Sequence, residues 1–175
     1  ESENNIVTIN KIEITDLDYF GGKRLGFVKF ITDAVWNDTQ KAIPGIVFCR
    51  GGAVSILILI DVPDHNTEND PYVLLTIQPR IPIGTIKCVE LPAGMLDGDS
   101  NFVGVAAKEI EEETGLKLNN LVNMNDLIYV DKQEFDGNIY LSGGGCDEYM
   151  HFFVTRVGMC EDVFNELKNK ETGSI

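Results

Sequence analysis

Residues 6–14 (IVTINKIEI) alternate between apolar and polar positions well enough to predict a strand. Residues 24–35, rich in Phe and Val, predict a second strand, and residues 43–50 a third. Polar turns are expected at 18–22 and 37–40. The first fifty residues therefore read as a small antiparallel meander, a piece that is marginal alone and needs a surface to pack on. Gly51 and Gly52 then punctuate the chain. Residues 54–60 (VSILILI) are apolar at nearly every position, the pattern of a central strand buried on both faces. After a polar loop at 61–71, residues 72–78 predict the next strand, paired with the previous one as a hairpin. Residues 79–85 form a connection, and 86–91 a strand feeding into a turn at Pro92, Ala93 and Gly94.

The period then changes. Phe102, Val103, Ala106, Ala107 and Ile110 fall on one helical stripe, with Ser100 or Asn101 as the N-cap and Gly115 as the stop. Residues 127–131, 138–141 and 150–157 read as strands and 161–170 as a short amphipathic helix. Strands, helix, strands, helix predict an α/β fold: an α/β/α sandwich around a mixed β-sheet, carrying an N-terminal antiparallel β meander. The division expected is 1–50 for the meander and 51–175 for the main domain.

At 175 residues the chain is long enough for a real core. Its formal net charge is −14, which argues against a nucleic-acid polymer or an anionic membrane as the main partner. The same charge repels an anionic substrate unless bound cations invert the local field. The four cysteines, Cys49, Cys88, Cys146 and Cys160, form no CxxC and do not pair with His65 or His151 in a zinc-like spacing. Their scatter suits free thiols in a reducing compartment, so a cytoplasmic location is expected, or an organelle if a targeting segment was removed. No run reaches transmembrane length.

The acids at 109–113 change the picture most. On a helix Glu109, Glu112 and Glu113 stand at i, i+3 and i+4 on one face, while Glu111 points nearly the opposite way. Like charges so placed destabilise a helix unless a cation sits among them, and oxygen donors suit Mg²⁺, Mn²⁺ or Ca²⁺. The alternative is an acidic, solvated helix face. The nearby Asp97-x-Asp99-x-Asn101 starts like an EF-hand loop but has Phe102 where Gly is needed and Lys108 where Glu is needed.

The stretch ELPAGMLDGDSNFVGVAAKEIEEETGL resembles the Nudix box, G-x5-E-x7-R-E-U-x-E-E-x-G-U with U aliphatic. Gly94 takes the first position, and Lys108, Glu109, Ile110, Glu112, Glu113, Gly115 and Leu116 take the second half in register. Lys108 replaces the family's arginine, losing its bidentate fork. The early glutamate falls on Ser100, beside Asp99. The resemblance extends from GKRLGF through PGIVFCRG to GGCDE and is closest to the plant-type ADP-sugar and UDP-glucose pyrophosphatases of the Nudix family. It implies the same sandwich fold. It also implies Mg²⁺ or Mn²⁺ held by Glu109, Glu112, Glu113 and the Ala93 carbonyl, with Glu112 and Glu113 also in the catalytic set. A homodimer is implied too, with the N-terminal strands packed on a second subunit.

Two further features fit that resemblance. SGGGCDE, residues 142–148, is similar to the glutamate-bearing loop of ADP-sugar pyrophosphatases, and Glu148 takes the glutamate's place as the group that assists the water. Three glycines predict a mobile loop that swings Glu148 over bound substrate; the bland alternative is a hairpin loop with exposed acids. Arg80, in QPRIPIG, matches a substrate-gripping arginine, and Glu90 an acid near the metals; a surface arginine and an edge-strand acid are their plain alternatives. Tyr19, Phe20 and Trp36 are assigned no base contact.

The resulting expectation is metal-dependent hydrolysis of a nucleoside diphosphate sugar (ADP-ribose, ADP-glucose or UDP-glucose) to a nucleoside monophosphate and a sugar phosphate. The competing readings are a Nudix enzyme for another nucleoside diphosphate derivative and a non-catalytic nucleotide-binding module.

Overall fold

The computed structural model describes residues 6–63, 70–96, 101–114, 116, 120–128, 137–168 and 170–171, with the side chains of Glu109, Glu113 and Thr114 excepted. It divides into two compact units: residues 1–51 with 140–149, and residues 52–139 with 150–175.

The first unit is built on a long hairpin. Strand β1 (Val7–Phe20) pairs antiparallel with β2 (Arg24–Trp36), and β3 (Ala42–Ile43) and β4 (Ile46–Cys49) pair with the other edge of β2. The turn expected at 18–22 is shifted: β1 continues through Phe20, and Gly21 and Gly22 make the reversal at φ +59° and +76°, angles that glycine adopts at little cost. The single third strand expected at 43–50 is broken at Gly45. Its carbonyl accepts the Thr32 amide at 2.8 Å, and a Cβ there would stand 1.9 Å from Thr32 Oγ1. Three register shifts in the β1–β2 ladder bend the edge strand. Phe20, Phe27 and Phe48 pack edge to face, with ring centroids 5.0 and 5.1 Å apart.

The second unit is organised around β5 (Gly52–Asp61). Val54, Ile56, Ile58 and Ile60 are at most 2% exposed, so the run of apolar residues is buried as its pattern predicts. The remaining strands are β6 (Tyr72–Val73), β7 (Thr76–Arg80), β8 (Thr85–Glu90), β9 (Ala93–Met95), β10 (Val122–Asn123), β11 (Ile139–Tyr140) and β12 (Tyr149–Gly158). Strand order is β10–β12–β5–β6 with β9 also on β5. Among the described residues the α-helices are α1 (Phe102–Thr114), α2 (Asn125–Ile128) and α3 (Glu161–Leu167). Helix α1 packs on β5 and β9 through Ala106 and Ile110, while α3 meets β6 through Phe164 and Tyr72, ring centroids 4.7 Å apart. This is the expected α/β architecture, helices packed on a mixed sheet and antiparallel strands at the N-terminus.

Three local expectations are corrected. Residues 72–78 are not one strand: Tyr72 and Val73 stay on β5, the Leu74 amide still reaches the Ile58 carbonyl, and the chain then starts a separate ladder in which β7 pairs with β8. Leu127 lies in α2 rather than a strand, because the Asn123 side chain accepts the Asn125 amide at 2.9 Å and turns the chain; residues 129–131 lie outside the described residues. Val103 is 50% exposed and does not belong to the buried stripe of α1. Among the described residues no helix is long and apolar enough to cross a membrane.

Candidate active site

Helix α1 is capped as its sequence predicts. Asn101 Oδ1 accepts the Gly104 amide at 3.0 Å, satisfying one of the unpaired donors of the first turn. The glycine makes room for this, since a Cβ at 104 would fall 2.3 Å from the Asn101 amide nitrogen. The start of the helix is fixed further by Phe102, stacked on the buried His151 ring at 4.0 Å.

The helix carries Lys108 through Glu113 as one continuous run, and α1 packs on β9, the strand that holds Ala93. Glu112 is exposed and pairs with Lys108 Nζ at 3.4 Å, an i,i+4 contact that partly offsets the acidic run. The side chains of Glu109 and Glu113, and residues Asp99 and Ser100, lie outside what the structure describes. Among the described side chains no three His, Cys, Asp or Glu come together as a metal site. The donors this segment offers, carboxylates and a main-chain carbonyl, suit a hard divalent cation in kind.

Arg80 and Glu90 are brought together. Their strands are adjacent, and the Arg80 guanidinium donates from Nε to Glu90 Oε1 at 2.7 Å and from Nη2 to Oε2 at 2.5 Å. The fork holds the Glu90 carboxyl below the ordinary glutamate range, against the opposing effect of partial burial. The same carboxylate raises the neighbouring Cys88 thiol, chiefly through a hydrogen bond. The two sequence candidates therefore form one preset pair rather than two independent groups.

Glu148 belongs to the first unit, at the end of the glycine loop. Its carboxylate is 18% exposed and meets Arg50 Nε at 3.1 Å. The neighbouring Asp147 is exposed but folds back on the main chain: its Oδ1 accepts the amides of Arg50 at 2.6 Å and Gly51 at 3.1 Å. Burial first, and then Asp147, raise the Cys49 thiol above its usual value. The sequence reading passed over Arg50. Its only signal there was a cation ahead of two glycines, and its partners lie nearly a hundred residues away.

Comparison with known proteins gives the family and the fold. The NUDIX domain model matches residues 52–172. "Nudix hydrolase 14, chloroplastic" from Arabidopsis thaliana is 42% identical over 99% of this chain and 55% of its own length. "Putative nudix hydrolase 2" from Caenorhabditis elegans is 38% identical over 55% of this chain and 40% of its own length. The chain thus spans about half the length of these relatives. The crystal structure of an ADP compounds hydrolase shares the fold at a TM-score of 0.59 and 15% identity, covering 89% of this chain and 69% of that one. With the family model matched over residues 52–172, more than half of this chain, the chain belongs to the NUDIX family.

Proposed function

We propose that the protein hydrolyses the diphosphate of a nucleoside diphosphate sugar, such as ADP-ribose, ADP-glucose or UDP-glucose, releasing a nucleoside monophosphate and a sugar phosphate. The observation that carries this reading is the run KEIEEETGL, whose glutamates sit on helix α1 beside β9. The hydrolase names of the relatives support it, as does the fold shared with an enzyme named for ADP compounds. Glu109, Glu112, Glu113 and the Ala93 carbonyl would hold Mg²⁺ or Mn²⁺, which supplies charge neutralisation at the diphosphate and a bound water of lowered pKa.

The chain's own residues then divide the work. Glu148 accepts the proton of the attacking water as its oxygen bonds to phosphorus and the bridging P–O bond breaks. Arg80 grips the diphosphate or the terminal sugar phosphate, and Glu90 fixes the plane of its guanidinium until substrate arrives. We further propose a homodimer that covers the exposed apolar residues of β1, and a reducing compartment. Cytoplasm and organelle both satisfy the free thiols; the chloroplastic label of the Arabidopsis relative favours an organelle.

A second reading, a non-catalytic nucleotide-binding module, draws on the Lys108–Glu112 pair, which occupies a proposed ligand. Hydrolysis of ADP-ribose, ADP-glucose and UDP-glucose, with Mg²⁺, Mn²⁺ or chelator, separates the two. Metal-dependent release of nucleoside monophosphate is the expected result. Glu112→Gln is expected to lower kcat by about a hundredfold or more, whereas Glu111→Gln leaves it within about twofold. Nucleotide binding without turnover on any of the three would favour the module, and equal effects of the two substitutions would sink the face assignment.

A further inference from the structure

Glycine-rich sequence predicts a swinging loop at 142–148, but the structure shows a stapled one. The Ser142 carbonyl accepts the amides of Gly145 and Cys146 at 3.1 and 3.0 Å, closing a turn. The Gly145 carbonyl accepts the Phe48 amide at 2.8 Å, and the Asp147 amide returns to the Phe48 carbonyl at 3.4 Å, so that Cys146 and Phe48 form a parallel bridge. Beyond the bridge the partners cross over. The carboxylate of Asp147 takes the main chain of residues 50 and 51, and the side chain of Arg50 takes the carboxylate of Glu148.

The chemistry gives each contact a separate task. Two amides converging on one carboxylate oxygen fix the backbone of residue 147, and so the direction in which the next side chain leaves. Adjacent carboxylates at 147 and 148 repel, and a planar guanidinium on one of them relieves that repulsion while restricting the rotamers of Glu148. A charged group aligned in advance loses less freedom when substrate binds than one recruited from solvent.

We propose that Asp147 and Arg50 are positioning residues for Glu148: Asp147 clamps the glycine loop to the end of β4, and Arg50 orients the glutamate's carboxylate. The proposal rests on the reading of Glu148 as the group that assists the water, and it replaces a swinging lid by a preset platform.

Two measurements on the whole chain test it. The first is amide hydrogen exchange by NMR, which needs no turnover. Asp147→Ala is expected to speed exchange of the Arg50 and Gly51 amides about tenfold or more, and Asp147→Asn, which keeps an acceptor oxygen, much less. Arg50→Ala, which keeps the clamping main-chain amide, is expected to leave these rates within about twofold. Unchanged protection in Asp147→Ala overturns the clamp. The second is a kinetic cycle on ADP-ribose with Mg²⁺. Arg50→Ala is expected to lower kcat about tenfold with KM within about twofold, Arg50→Lys to recover part of the loss, and Arg50→Ala to cost nothing more once Glu148→Gln is present. A raised KM with unchanged kcat in both backgrounds makes Arg50 a direct substrate contact and overturns its positioning role. A wild type without turnover, or Glu148→Gln as fast as wild type, instead sinks the catalytic reading of Glu148. The exchange arm then still decides whether the loop is clamped.

Discussion

Strands β1 and β5 carry similar isoleucine-rich sequences and meet opposite fates. Ile56, Ile58 and Ile60 on β5 are at most 2% exposed, whereas Ile9, Ile12 and Ile14 on β1 are 59–62% exposed. Their side chains are chemically identical, so the difference comes from the neighbours. β5 lies inside its sheet with α1 packed on it; β1 is the edge of a hairpin and, among the described residues, pairs with β2 alone. An apolar strand contributes stability in proportion to what covers it, and the surface left open on β1 is the kind that a second chain covers.

That contrast can be broken by substitution. Ile58→Ala empties a fully buried site and is expected to cost about 2–5 kcal/mol in denaturant unfolding. Gly45→Ala tests a close approach to main chain in the first unit. Its Cβ would fall 2.6 Å from the Thr32 carbonyl oxygen, and overpacking against main chain is expected to cost about 1–3 kcal/mol. The Arg80–Glu90 pair is partly solvated, so Glu90→Gln is expected to cost under about 1 kcal/mol at neutral pH. Because the folded Glu90 carboxyl is held low, its contribution is present above the ordinary glutamate value of about 4.3 and is lost as pH falls through the folded value. Wild type and variant should therefore converge in acid; a gap that widened there would reverse the sign. The smallest effect is expected from Ile12→Ser, within about 0.5 kcal/mol in dilute solution. A loss that grows with protein concentration would mean that a second copy covers β1.

The elements most legible in the sequence were those with a single strong local cause. Unbroken apolar character marked β5, the Asn101 cap marked the start of α1, and the Nudix-like spacing marked the family. Where tertiary partners decide, local pattern misled. Tyr72 and Thr76 look like one strand, yet they serve different ladders because β5 and β8 each offer an edge. The same limit applies at the site. Arg80 and Glu90 were read separately, although adjacent strands pair them, and SGGGCDE was read as mobile because nothing in its composition shows that Phe48, Arg50 and Gly51 hold it.

The clamp between Asp147 and Arg50 also has a temporal side. The two residues are 97 apart in sequence, with most of the second unit between them. During synthesis, β4 leaves the ribosome well before its partner loop exists, and closing so long a segment is entropically slow until the intervening chain has folded. The edge of β4 waits unpaired through that interval. Premature termination anywhere before residue 142 would leave it so for good, making truncated chains more prone to edge-to-edge association than the whole protein.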